Sequence, residues 1–375
     1  MEKIIGIEIH NFGILKHVKM GVLYKDSLDD EFGSMVTIIG LNGSGKSTFA
    51  DVFQFILDAI SSNVEAACDA GYRGGYDQLV SQGSHEPIRF KICYKQDADS
   101  MILTYEFSVA KDRNGRPYVG EEKLRQYGVN DGEEQLLLSL ARGKGFVSDK
   151  RAVTLSEIRQ LGIVTLGALK EYPIVAGFLS YIKSWGTFQF TASEARQIQF
   201  SSFSPYLNRV GSNLNSVVYR MRRENPAGYQ KVLERIRALM PHITEIRPEK
   251  LPDGQMMLEF MQEGFPLPFY SNRMSDGVLE LLAYYLLLYE NNPRQVLFLE
   301  DVDRNLHHHN LSVLAADIAQ VVEAKNTRQI FVSTHTPFVF DALRRHVWVF
   351  EKGNDGFAIV KRMFAAHDSK KEEKI

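Results

Sequence analysis

The amino-acid sequence predicts an α/β fold with an α/β core lobe and a helical lobe. Three observations predict it. A β-branched run, Val36 to Ile39, leads into Gly40-Leu41-Asn42-Gly43-Ser44-Gly45-Lys46-Ser47 and then a helical pattern. A second apolar run, Val296-Leu297-Phe298-Leu299, ends on the paired carboxylates Glu300 and Asp301. A third, Ile330 to Ser333, is followed at once by Thr334 and His335. Short continuous apolar runs are how strands buried on both faces appear in a sequence.

Taken in order, the chain opens with a strand over Ile4 to Ile9. The glycine-rich stretch after Ile39 fits G-x-x-x-x-G-K-[ST], in the strand and helix context which that pattern needs. Its glycines let successive backbone N–H groups turn inward around an anion. Lys46 has the reach for β- and γ-phosphates, and the Ser47 hydroxyl suits Mg²⁺. Ser47 to Ile60 reads as a helix with apolar positions Phe49, Val52, Phe53, Ile56, Leu57 and Ile60, and its N-terminus adds a positive dipole end. Gly40, Asn42, Gly43, Ser44, Gly45, Lys46, Ser47 and Thr48 are the expected ATP-binding residues.

Gly71 to Ser84 reads as loop or short helix, Ile88 to Tyr94 and Met101 to Ala110 as a hairpin, with a further strand pair after the turn at Asp112 to Gly115. Residues 1–149 form the expected first lobe and 150–247 a mainly helical one. In the helical lobe, Asn213 to Arg223 and Ala227 to Met240 are broken at Pro226 and stopped before Pro241. Lys231, Arg235 and Arg237 on the second helix fit a solvated face or a nucleic-acid contact. Residues 248–365 return to α/β, with a strand over Met256 to Met261 and a long apolar helix over Val278 to Tyr289. Residues 366–375 are a charged tail.

Composition narrows the classes. The 375 residues are 44% hydrophobic and 24% charged, as in an ordinary globular protein, with a formal net charge of −2. That balance argues against a strongly basic nucleic-acid coat, though not against a local patch. Two cysteines, Cys68 and Cys93, have no metal-type spacing. The start lacks a signal-peptide pattern, and the longest apolar run, Leu281 to Leu288, is short of the roughly 18 residues that span a bilayer. The expected setting is cytoplasmic, with no membrane.

Glu300 and Asp301 stand where ligands bind, at the C-terminal end of a parallel strand. Glu300 suits Mg²⁺, and Asp301 suits polarisation of an attacking water. Upstream, Ser275-Asp276-Gly277 heads a buried helix; the same residues fit an anion site or a plain N-cap.

This ordered set resembles the ABC-type ATPase heads of the SMC, RecF and OLD proteins, and most closely the compact single-chain branch common in bacterial anti-phage defence loci. The matching residues are Ser275-Asp276-Gly277, Glu300-Asp301 with Asn305-Leu306-His307, and Ser333-Thr334-His335-Thr336-Pro337. The opening IEIHNFGILKHVKM resembles the first strand of such heads. The resemblance implies that two heads join head-to-tail around two ATP molecules. Lys46 and Ser47 of one copy would then face Ser275 and Gly277 of the other. His335 would sense the γ-phosphate, Asp303 and Asn305 would lie in a coupling loop, and Asp301, Glu300 and His335 would form the catalytic group.

Four departures stand out. The acidic pair is Glu-Asp, where most relatives carry Asp-Glu or Glu-Glu, so slow hydrolysis is expected. NFG lacks the arginine common in SMC-type heads. Gln78, Gln82, Gln189 and Gln197 are all candidates for the glutamine loop. His308 replaces the usual proline, and His307-His308-His309 fits a metal site or an exposed helix start. No long coiled coil, C-x-x-C hook, nuclease module or transport module is evident. The expected role is a nucleotide-dependent regulator of a separately encoded effector, such as a nuclease, acting as a homodimer or higher oligomer. A RecF-like DNA-repair ATPase is the alternative.

Overall fold

The computed structural model describes residues 2–23, 31–96, 101–128, 134–197, 199–200, 206–325, 328–336 and 346–363. Pro337 and the charged tail lie outside them.

Strand β1 (Lys3–Phe12) turns back into β2 (Leu15–Gly21), and β3 (Met35–Gly40) carries the chain to helix α1 (Lys46–Ser61). After α2 (Val64–Asp69) and α3 (Tyr76–Leu79) come β4 (Ile88–Lys95), β5 (Met101–Lys111), β6 (Pro117–Gly128), β7 (Glu134–Ala141), β8 (Lys144–Val147) and β9 (Ala152–Thr154). These pair antiparallel in the order β2-β1-β4-β5-β6-β7-β8-β9. The turn at Asp112 to Gly115 joins β5 to β6, as its sequence predicts: the Asp112 carboxylate accepts from the Asn114 and Arg116 amides.

Helices α4 (Gly162–Gly167) and α5 (Pro173–Lys183) precede β10 (Trp185–Phe188). Next come α6 (Ala192–Ala195), β11 (Gln199–Phe200), α7 (Leu214–Glu224), α8 (Pro226–Leu239), β12 (Ile243–Lys250), β13 (Gln255–Gln262) and β14 (Phe269–Tyr270). Pro226 takes the first position of α8, where its missing N–H costs nothing. The last part holds α9 (Asp276–Leu288), β15 (Val296–Leu299), α10 (His308–Lys325), β16 (Gln329–Thr334), β17 (Val347–Lys352) and β18 (Ala358–Met363). Its strands join β10 and β3 in the order β10-β15-β16-β3-β17-β18, parallel except for the last pair. β3, which leads into the glycine-rich loop, thus lies beside β16, which ends just before His335, and β15, which ends just before Glu300, lies one further on.

Helix α1 is gripped from two sides. Phe53 packs on Phe298 and Phe331 of the parallel sheet, with ring centroids 5.4 and 5.1 Å away. Phe55, outside the apolar stripe expected from the sequence, packs on Phe12 and Phe90 of the antiparallel sheet. A helix between two sheets needs a second apolar face, which Phe55 provides. Buried Gln329 ties the two sheets: its carbonyl accepts from the Ile4 amide at 3.0 Å, and its amide donates to the Ile4 and Gly33 carbonyls.

The 150–247 stretch divides between two cores. Leu161 to Trp185 packs with the first-lobe cluster, and Phe188 onward packs with α9, β15 and β16. Its strand β10 is a member of the parallel sheet. No helix among the described residues is long and apolar enough to cross a membrane.

Candidate nucleotide site

The loop from Gly40 to Gly45 is shaped for close approach. A Cβ on Gly40 would sit 2.4 Å from the Phe350 carbonyl oxygen, so only glycine fits. Gly43 and Gly45 have φ of 75° and 108°, a region that side chains avoid. The Ser44 hydroxyl is buried with no hydrogen-bond partner among the described residues. A buried, unpaired donor inside a loop of inward-turned amides is what an anion would satisfy.

Lys46 is buried at the head of α1. Its ammonium donates to the Gly40 carbonyl at 2.7 Å and the Leu41 carbonyl at 3.2 Å. Burial pulls it below the ordinary lysine range, against the carboxylates of Asp301, Asp303 and Glu300, which pull it back up. It also lies 3.3 Å from Nδ1 of His335. An ammonium can only donate, so this contact makes Nδ1 the acceptor and places the ring proton on Nε2. That nitrogen faces Oδ1 of Asp301 at 3.5 Å. Lys46, His335 and Asp301 therefore form one chain of contacts across three neighbouring strand ends.

The two carboxylates of the acidic strand point to different partners. Glu300 is buried beside the Ser47 hydroxyl, with an Arg209 guanidinium nitrogen 3.7 Å from Oε2. Burial raises its pKa, Asp301 and Asp51 add to the rise, and Ser47 and Arg209 oppose it. Asp301 has φ 49°. Asp tolerates this left-handed geometry better than most residues, at a cost of order 1 kcal/mol. Ser333 secures the turn by accepting from the Asp301 amide at 2.9 Å. The kink turns adjacent carboxylates to different neighbours, Glu300 to Ser47 and Asp301 to His335.

Asp303 braces the His335 segment. It accepts from the His335 amide at 2.9 Å and the Thr336 hydroxyl at 2.7 Å. Burial raises its carboxyl, but hydrogen bonds from Thr336, Thr334 and the His335 amide outweigh that and hold it below the usual range. Asn305, the other expected coupling residue, touches α9 instead. Its backbone oxygen would stand 3.1 Å from a Cβ on Gly277, and its side-chain amide lies beside Glu280 of α9. Ser275 is the exposed N-cap of α9, and its side chain makes no capping hydrogen bond. Asp276 pairs with Arg196, which also donates to the Met274 carbonyl.

Some residues beside the site carry no signal in the sequence. Arg209 is one; it also lies 3.7 Å from Asp51 of α1. Of the four glutamines, Gln189 directly follows β10, whose end is tied to Glu300 by the Glu300 amide donating to the Phe188 carbonyl at 2.8 Å. Gln78 lies in α3, Gln82 in the turn after it and Gln197 at the end of the α6 segment. His307, His308 and His309 are exposed at the start of α10, and no grouping among the described residues makes them a metal cluster. Arg235 pairs with Asp317 at 3.1 Å and Arg237 donates to the Thr244 carbonyl at 2.7 Å, so both serve the fold.

Glu280 makes a testable link between α9 and the loop that follows Asp301. Burial pushes its pKa up to about 7, against hydrogen bonds from Asn305 and Tyr284. The folded chain then holds a proton that the unfolded chain releases above about pH 4.5, so stability falls as pH rises from there through 7. The contribution is about 3 kcal/mol. Urea midpoints at pH 5.5 and pH 8 should show Glu280→Gln losing less stability than the wild type over that interval. Equal losses would mean that Glu280 does not titrate there.

The fold is that of the ABC-type heads of SMC proteins. Residues 188–341, less than half of the chain, match the family model described as "AAA domain, putative AbiEii toxin, Type IV TA system". That span includes α9, β15 with Glu300 and Asp301, and His335. Two solved structures share the fold across the whole chain. One is an Smc head bound to the C-terminal winged-helix domain of ScpA, with 15% identity, 98% of this chain and 99% of that chain covered, and a TM-score of 0.55. The other is an Smc head with an extended coiled coil bound to the C-terminal domain of ScpA, derived from Pyrococcus furiosus, with 14% identity, 100% and 99% covered, and a TM-score of 0.52. No curated protein matches.

Proposed function

We propose that the chain binds and hydrolyses ATP, that ATP closes two copies head-to-tail, and that this closure controls a separately encoded effector. The observation that carries the reading is the convergence of Lys46, His335, Asp301 and Asp303 beside a glycine cradle whose Ser44 hydroxyl lacks a partner. The residues fit the nucleotide: Gly40, Asn42, Gly43, Ser44, Gly45 and Thr48 would wrap the phosphates, and Lys46 would bind them. Ser47 and Glu300 offer the all-oxygen donor set that Mg²⁺ takes. Bound Mg²⁺ supplies charge neutralisation at the phosphates. Gln189, from its place beside Glu300, is our choice for the glutamine loop.

The exposed hydroxyl of Ser275 supports closure in trans: with no capping bond, the first-turn N–H groups of α9 stay free to donate to a phosphate alongside the hydroxyl. Coupling would run through Asn305, which joins the signature helix to the loop that begins at Asp301. The family description, with its toxin and antitoxin setting, is compatible with an effector-linked role in anti-phage defence. A cytoplasmic location accords with such a role.

Ser275→Asp tests closure. Aspartate is a good N-cap, so α9 keeps its start, but its charge repels the partner's γ-phosphate. Light scattering should show the wild type gaining mass with ATP and Ser275→Asp failing to. If both associate equally, Ser275 is only a cap. Gly277→Asp should also block closure, but its side chain additionally presses on Asn305.

A further inference from the structure

Outside the nucleotide site, the β1–β2 hairpin gathers three metal-ligating side chains. Glu8 and His10 are two residues apart on β1, so both project from the same face. His17 on β2 is the direct cross-strand partner of His10. The Nε2 atoms of both histidines lie 3.1 Å from the same oxygen, Oε1 of Glu8. Their rings stack with centroids 4.3 Å apart and 17° between planes. Among the described residues this is the one His, Cys, Asp and Glu grouping whose ligand atoms all fall within 4.8 Å of one another.

We propose that Glu8, His10 and His17 bind a first-row divalent ion of the zinc class, with three protein ligands and an open fourth position. Bonds of about 2.0–2.2 Å at tetrahedral angles hold ligand atoms about 3.3–3.6 Å apart, so the 3.1 Å separations must open slightly and the two stacked rings must turn until their Nε2 atoms aim at one point. Two imidazole nitrogens and one carboxylate suit zinc better than calcium or magnesium, which prefer oxygen alone. Strand pairing, not the ion, sets the register, so little ordering is left for binding to accomplish.

The position gives the site a consequence. At the hairpin tip the Gly13 amide donates to the Leu79 carbonyl, and the Ile14 carbonyl accepts from the Ala358 amide. Side chains of Leu15 and Ile14 come within 3.4 Å of where a Cβ on Gly45 would be. An ion joining β1 to β2 therefore stiffens the hairpin that backs the phosphate loop.

The test uses the full chain, stripped with EDTA and free of nucleotide, titrated with Zn²⁺ by calorimetry. The wild type should bind one equivalent that His10→Ala and His17→Ala each weaken by about 100-fold or more. The combined variant His307→Ala, His308→Ala, His309→Ala should keep it. Zn²⁺ should raise the melting temperature of the wild type and leave that of the His17→Ala variant unchanged. His17 is exposed, so its loss should leave the melting temperature in EDTA unaltered. No equivalent in the wild type, an unchanged one in His10→Ala and His17→Ala, or one lost with the His307 to His309 run, overturns the proposal.

Discussion

Lys46→Ala is expected to weaken ATP binding by at least about 10- to 100-fold, the value of one charge-assisted hydrogen bond. The surroundings push the effect to the upper end. Asp301, Asp303 and Glu300 all act on the Lys46 ammonium. Without that cation, three carboxylates face an incoming polyphosphate with nothing between them, and like charges in a partly buried site are screened poorly. Lys46 also anchors the loop through the Gly40 and Leu41 carbonyls, so part of the loss could come from a slack cradle. Lys46→Met keeps the stem while losing the charge and both carbonyl contacts, so it separates these polar contributions from the packing of the side chain. Nucleotide titration of both variants, with melting temperatures to confirm folding, checks the result. Wild-type affinity in Lys46→Met would remove the phosphate-loop assignment.

The parts of the fold that depend on local pattern are legible in the sequence. The strand before the phosphate loop, α1, the α7–α8 pair around Pro226, α9 and the two short parallel strands fall within a few residues of their expected bounds. Each carries its own signal: a β-branched run, a helical stripe or a proline. Strand β10 carries none. Trp185-Gly186-Thr187-Phe188 is four residues long with a glycine inside, and only its pairing with Val296 to Leu299 makes it a strand. That pairing also moves the boundary of the helical lobe. Phe55 is hidden for a related reason: one apolar stripe is visible in a sequence, but a second face becomes apolar only when another sheet covers it.

The site divides in the same way. Residues set by motif, from Gly40 to Thr48 and from Ser333 to His335, come together as expected on adjacent strand ends. Contacts made by register do not show. Arg209 reaches Glu300 from a loop 91 positions earlier, and nothing in its own neighbourhood marks it. Glu8, His10 and His17 look like alternating polar positions on two strands until the hairpin register sets His10 against His17.

Asp301→Asn should slow ATP hydrolysis by about 100-fold or more while ATP stays bound, because an amide keeps the shape but cannot take a proton from water. The Glu-Asp order places the shorter carboxylate in this role, and its geometry supports the assignment. Asp301 is kinked away from Ser47 and toward Nε2 of His335, whereas Glu300 lies beside Ser47. Glu300→Gln should therefore act differently, raising the Mg²⁺ concentration needed for binding more than it slows the chemical step. His335→Ala should resemble Asp301→Asn more than Glu300→Gln, because the imidazole spans Lys46 and Asp301 and loses both contacts together. Single-turnover hydrolysis at several Mg²⁺ concentrations separates the three variants. The shorter side chain also predicts a slow wild type, so Asp301→Glu offers a gain-of-rate control if the extra methylene improves reach to the water. Hydrolysis by Asp301→Asn at the wild-type rate would move the base elsewhere, with His335 the next group in contact.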